Sequence, residues 1–185
     1  MIIQELESED LGLEGAFTII PKIFQDERGT FSKFYTREIL DSKGVKPLFA
    51  EEYLSVSKKD VLRGIHYQLE PCSQAKFIRC IRGGAFAVLV DLREKSSTFG
   101  KWISVTLSEQ NNKGLYSPRG CGFGFLAMQE DTAVLYKADN DYAPDKERGI
   151  IWNDTTLGIK WPQSDNYLLS EKDKKWPSFK LADKF

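Results

Sequence analysis

Apolar residues in this chain fall in short runs separated by turn residues, not in the long stripes at helical spacing that mark amphipathic helices. Ala16–Pro21 is one such run. Lys76–Arg82 and Ala85–Arg93, rich in Ile, Val and Phe, meet at Gly83-Gly84, a two-residue hairpin signal. In Lys101–Ser108 the residues Trp102, Ser104 and Thr106 alternate with Ile103, Val105 and Leu107, as in a strand with two unlike faces. Leu115–Ser117 stops at Pro118, and Phe123–Met128 and Thr132–Lys137 are joined across Gln129-Glu130-Asp131. Turn signals recur about every eight to twelve residues, which predicts an all-β antiparallel sandwich or barrel with a pocket at its mouth. Helix is scarce. Thr36–Lys43 has a cap at Thr36 and a stop at Gly44, and Ser170–Lys175 gives one further turn before Pro177.

With 185 residues and no repeat, linker or low-complexity tract, the chain reads as a single domain, 1–185. Twenty-six basic against 27 acidic residues leave a net charge of −1, which argues against a general affinity for nucleic acid or anionic membrane. Cys72, Cys80 and Cys121 are odd in number and lack C-x-x-C spacing, which suits free thiols in a reducing compartment. The opening Met-Ile-Ile-Gln-Glu lacks the basic region and apolar core of a signal peptide, and no apolar run is long enough to span a bilayer. These features predict a cytoplasmic protein.

The chain holds one histidine, His66, so a multi-histidine metal site cannot be built, and chemistry at His66 would be proton transfer. That removes metal-dependent cupin oxygenases from consideration and predicts an activity that survives chelation. Arg119-Gly120-Cys121-Gly122-Phe123-Gly124-Phe125 has a superficial likeness to the RNA-binding string of an RRM, but its register is wrong and no basic patch accompanies it.

The segments Asp26-Glu27-Arg28-Gly29-Thr30-Phe31, Leu62-Arg63-Gly64-Ile65-His66-Tyr67-Gln68 and Gln74-Ala75-Lys76-Phe77-Ile78-Arg79 resemble the dTDP-4-dehydrorhamnose 3,5-epimerase family. So do Val90-Asp91-Leu92-Arg93, Tyr136-Lys137 with Tyr142, Trp152-Asn153-Asp154 and Leu169-Ser170-Glu171-Lys172-Asp173, in order from about Gly15 to Trp176. The resemblance implies a cupin-type jelly roll, a homodimer, and a cofactor-free, metal-free site. Its substrate would be a nucleoside-diphosphate 4-keto-6-deoxy sugar, inverted at C3, C5 or both, in deoxysugar biosynthesis for a surface polysaccharide or similar glycoconjugate. A catalytically silent sugar-nucleotide binder is the alternative, separated from the enzyme by turnover alone.

Inversion next to a ketone needs a base on one face, an acid on the other, and a positive or hydrogen-bonding group at the enolate oxygen. The resemblance assigns His66 as base, Asp173 as the carboxylate that orients it, Lys76 as the oxyanion partner and Tyr136 as the opposite-face acid. It assigns Arg28 and Arg63 to the diphosphate, with Arg28 reaching across the dimer, and Phe31, Gln68 and Tyr142 to substrate contacts. Four further positions depart from the family pattern. Phe123 stands where a second histidine is usual, Glu51 and Tyr53 replace an amide pair, and Lys33 replaces a glutamate. Retained proton-transfer groups inside an altered shell predict kept chemistry on a changed substrate.

Overall fold

A computed structural model describes residues 6–46 and 49–185; Met1 to Glu5, on which the reading of the N-terminus rests, lie outside the described residues. In chain order the first elements are β1 (Leu6–Asp10), β2 (Phe17–Pro21), β3 (Ile23–Asp26), β4 (Gly29–Ser32), α1 (Arg37–Ser42), β5 (Glu51–Ser57) and β6 (Leu62–Gln68). There follow β7 (Lys76–Arg82), β8 (Gly84–Asp91), β9 (Trp102–Ser108), β10 (Gly114–Ser117), β11 (Cys121–Ala127), β12 (Thr132–Ala138) and β13 (Glu147–Gly149). The first sheet runs β1-β2-β10-β7-β12-β5 and the second β13-β6-β11-β8-β9, while β3 and β4 form a separate hairpin. The strands pair antiparallel throughout both sheets, giving a jelly roll of the cupin type.

The core lies between the sheets, where Ile78, Cys80, Leu115 and Val134 of the first face Ala87, Leu89, Leu107 and Phe125 of the second. The outer face of the second sheet is buried as well: Val88 and Val90 pack beneath Ile150, Leu157 and the C-terminal Phe179 and Ala182. With both faces covered, β8 is a continuous apolar run, whereas β9 at the sheet edge keeps the alternation read in the sequence.

One local expectation is corrected. Gly83-Gly84 is not a hairpin: β7 and β8 belong to different sheets, and so do β11 and β12. Both links are corners that carry the chain from one layer to the other. Gly83 adopts φ +72, and a Cβ there would stand 2.9 Å from Thr132 Oγ1 at the second corner. A corner and a hairpin demand the same left-handed residue, so the local signal could not tell them apart.

The helical expectations hold. Thr36 Oγ1 accepts from Ile39 N at 3.3 Å to cap α1, which gives way after Lys43 to Gly44 at φ +71. Near the C-terminus a single turn closes as Lys174 N donates to Ser170 O at 3.2 Å. The three cysteines are unpaired, and among the described residues no helix is long and apolar enough to cross a membrane.

Candidate active site

Arg63 and His66 are three residues apart, so in a regular strand they would point to opposite faces. Here both point inward. In the β6–β11 ladder His66 stands opposite Phe123 and Arg63 opposite Phe125, so three steps along β6 match two along β11. The extra residue is a β-bulge, and it turns the strand so that both side chains share the barrel face. Glycine at 64 and 124 lets the two backbones close: a Cβ on Gly64 would lie 2.5 Å from Gly124 Cα.

His66 Nε2 is held by a very short hydrogen bond to Asp173 Oδ1, and the aspartate side chain is 5% exposed. Asp173 Oδ2 accepts from Ser170 Oγ at 2.7 Å, and the Asp173 amide donates back to Ser170 Oγ at 3.0 Å, so the C-terminal turn fixes the carboxylate. Burial raises the Asp173 pKa, but hydrogen bonding and charge from His66 outweigh it and hold the carboxyl below its ordinary range. A carboxylate can only accept, so Nε2 carries the proton and Nδ1 presents the basic lone pair. Trp176 sets its ring edge against His66 at 6.0 Å between centroids, and lies so flat on Gly149 that a Cβ there would stand 2.5 Å from Cδ2.

His66 opens into a cavity of about 690 Å³ at one end of the barrel, where Glu51, Tyr53, Lys76 and Glu147 also line the wall. Burial pushes the Lys76 ammonium down to about 8, against the pull of Glu147 and Glu51. Gln68 borders the cavity, but its amide is engaged by the chain: Nε2 donates to Cys72 O at 2.7 Å and Oε1 accepts from Ala143 N at 2.8 Å. Tyr142 donates its hydroxyl to Glu147 at 2.5 Å and its backbone N–H to Glu51 at 2.7 Å.

Other assigned residues lie off this wall. Tyr136 is 6% exposed, in the core behind Tyr53, with the two rings stacked at 4.7 Å and an interplanar angle of 14°. Phe123 is also buried and sets its edge to Tyr136 at 5.8 Å. Arg63 donates from Nε to Ser57 Oγ at 3.1 Å. Arg28 and Phe31 are on the β3–β4 hairpin, outside both sheets, where they line a second hollow of about 470 Å³. Arg28 there pairs with Asp26 at 2.6 Å, and Phe31 is 62% exposed.

The family model of dTDP-4-dehydrorhamnose 3,5-epimerase matches residues 10–181. The chain belongs to this family. It is 43% identical over 166 residues to the dTDP-4-dehydrorhamnose 3,5-epimerase of Shigella flexneri, covering 89% of this chain and 91% of that protein. The fold superimposes on the Legionella pneumophila dTDP-6-deoxy-D-glucose-3,5-epimerase in complex with dTDP-4-keto-L-rhamnose, with TM-score 0.91 and 33% identity over 96% of this chain and 95% of that one. A 3′-monoepimerase from Streptomyces bikiniensis in complex with dTDP-quinovose is similar too, at TM-score 0.88 and 35% identity over 93% and 87% of the chains. The protein is thus a deoxysugar-nucleotide epimerase.

Within this epimerase Glu147 of the cavity wall and Lys172, which pairs with it, escaped the sequence reading. Glu147 accepts from Tyr142 and, through a very short bond, from Lys172 Nζ. Burial raises the Glu147 pKa, yet those two bonds hold it below its ordinary value. Both residues sit in charged stretches that read as solvated surface, and no periodicity sets them apart. Among the described residues no group of three His, Cys, Asp or Glu side chains comes together as a metal site.

Proposed function

We propose that the cavity beside His66 binds a nucleoside-diphosphate 4-keto-6-deoxyhexose and that His66 Nδ1 removes a proton from a carbon next to the ketone. The observation that carries this reading is the His66–Asp173 pair opening onto a cavity with Lys76 in its wall. Asp173 fixes the tautomer and stabilises the imidazolium that forms. Lys76 supplies positive charge at the enolate oxygen, and its partial desolvation strengthens that interaction. Return of a proton to the opposite face inverts the carbon; Tyr136, on the other sheet, is the source on that side, as the family resemblance assigns.

Arg63, exposed near the start of β6, is suited to the diphosphate. Arg28 and Phe31 join the site from a second copy of the chain, in a homodimer. The protruding β3–β4 hairpin supports this, as do the exposed Leu54, Val56 and Ile81 on the outer face of the first sheet. Glu51, Tyr53 and Phe123 bring a carboxylate and aromatic bulk where the family places amides and a histidine, so the preferred substrate differs from the usual one.

The test is incubation in deuterated water with a panel of dTDP-, CDP- and GDP-linked 4-keto-6-deoxyhexoses, read by NMR. Wild-type protein incorporates deuterium next to the ketone, and His66→Ala does not, while still binding the nucleotide sugar. Exchange at the wild-type rate in His66→Ala refutes the assignment.

A further inference from the structure

Three carboxylates line the cavity that His66 enters: Glu51, Glu52 and Glu147. Two are neutralised where they stand. Glu52 pairs with Lys137 and Glu147 with Lys172, each through a very short contact. Glu51 has no lysine or arginine at ion-pair distance among the described residues. Its Oε1 accepts from Tyr142 N at 2.7 Å, and its other oxygen has no hydrogen-bond partner among those residues. A carboxylate can only accept. Beside a diphosphate ligand an unpaired one is repulsive unless the ligand brings donors to it.

Position assigns those donors to the nucleobase. Lys76, Ala138 and Glu51 lie in one row across β7, β12 and β5. Glu51 therefore stands two strand spacings, about 10 Å, from Lys76, on the strand that edges the sheet. With the ketone at Lys76, Glu51 lies beyond the sugar ring. The Tyr142 ring beside it is 54% exposed, and its hydroxyl is fixed on Glu147, so it offers a held aromatic face on which a flat ring can stack. A base stacked there turns its edge to Glu51.

Resting on the epimerase reading above, we propose that Glu51 reads the base of the nucleotide sugar and selects guanine, so that the substrate is GDP-linked. Guanine carries N1–H and the N2 amino group side by side, two donors that match the two oxygens of one carboxylate. The Oε1 already bonded to Tyr142 N keeps a second lone pair for this. Thymine offers one N–H flanked by two carbonyl oxygens, which would face the carboxylate as acceptor against acceptor. Cytosine offers one amino group next to a bare ring nitrogen. A glutamine at this position would present a donor as well as an acceptor and lose the selectivity.

Competition binding of GDP, dGDP, IDP, CDP and dTDP to the wild-type protein tests the assignment without turnover. GDP and dGDP are expected to bind alike, on the order of 10²-fold more tightly than dTDP and CDP. IDP, which lacks the N2 amino group, should bind roughly tenfold more weakly than GDP. Glu51→Gln should lose roughly ten- to a hundredfold in GDP affinity with no loss for dTDP. Thermal melting of that variant separates a folding defect from a lost contact, and the IDP comparison needs no variant. Equal affinity for all five nucleotides overturns the proposal. So does GDP matching CDP with dGDP weaker, which would put Glu51 on the ribose hydroxyls. GDP- and dTDP-linked 4-keto-6-deoxyhexoses in deuterated water then separate the two readings. Deuterium uptake with a dTDP preference refutes the guanine assignment alone, whereas uptake from neither refutes the epimerase reading.

Discussion

Gly64 of β6 and Gly124 of β11 meet backbone to backbone, and neither position has room for a side chain. A Cβ on Gly64 would lie 2.5 Å from Gly124 Cα and 2.7 Å from Phe123 O; one on Gly124 would lie 2.9 Å from Arg63 O. This contact sits in the bulge that turns Arg63 and His66 to one face. Gly64 also holds φ +112, which side chains rarely adopt. Gly64→Ala is therefore expected to destabilise the protein by about 2–3 kcal/mol and to lower turnover about 10²-fold by shifting His66. Chemical denaturation and steady-state rates measure both; a variant with wild-type stability and turnover would show the interlock to be dispensable.

The His66–Asp173 pair predicts a large effect from a small change. Asp173→Asn keeps the volume but lets an amide N–H face Nε2, which favours the tautomer with its proton on Nδ1. Turnover should fall by about 10²–10⁴, with substrate affinity changed far less. Single-turnover kinetics together with calorimetric binding give the two quantities, and a loss confined to affinity would count against an orienting role for Asp173.

Lys76 gives two pH slopes of opposite sign. With its pKa lowered from 10.5 to about 8, the folded protein loses this proton as pH rises through about 8. The charge at the enolate oxygen goes with it, so turnover declines there. The unfolded chain keeps the proton up to the ordinary value and binds more protons in that window, so the Lys76 contribution to stability rises with pH. Lys76→Met should lack both slopes and lose on the order of 10²-fold in turnover at neutral pH. Matching pH profiles for turnover and melting in the two proteins would contradict this account.

The altered positions Glu51, Tyr53 and Phe123 predict poor double inversion of dTDP-4-keto-6-deoxyglucose. A substrate hydroxyl left without its partner costs about 1–3 kcal/mol. Reintroducing the amides and the histidine, as Glu51→Gln, Tyr53→Asn and Phe123→His together, should improve use of that sugar by roughly ten- to a hundredfold. A reduction-coupled assay compares the two proteins. If the wild-type protein already converts this sugar as well as any other nucleotide sugar tried, the departures do not set specificity.

Much of this was legible in the chain itself. Alternation in Trp102–Ser108, the cap at Thr36 and the spacing of turn residues determined strands, helix and fold class, because each depends on neighbours within a few residues. The lone histidine in its Arg-Gly-Ile-His-Tyr-Gln setting marked the base, and Asp173 was assigned to it by resemblance. Partners distant in sequence were decided only by the tertiary structure. Gly83-Gly84 has the chemistry of a hairpin and serves as a corner, since the pairing of β7 and β8 depends on which faces are buried in the assembled sandwich. Glu147 becomes part of the site only when β13 lies beside β6, and Tyr53 covers Tyr136 only because β5 pairs with β12. Strand pairing joins residues far apart in sequence, and nothing in the local alternation of apolar and polar positions specifies which strand will be the neighbour.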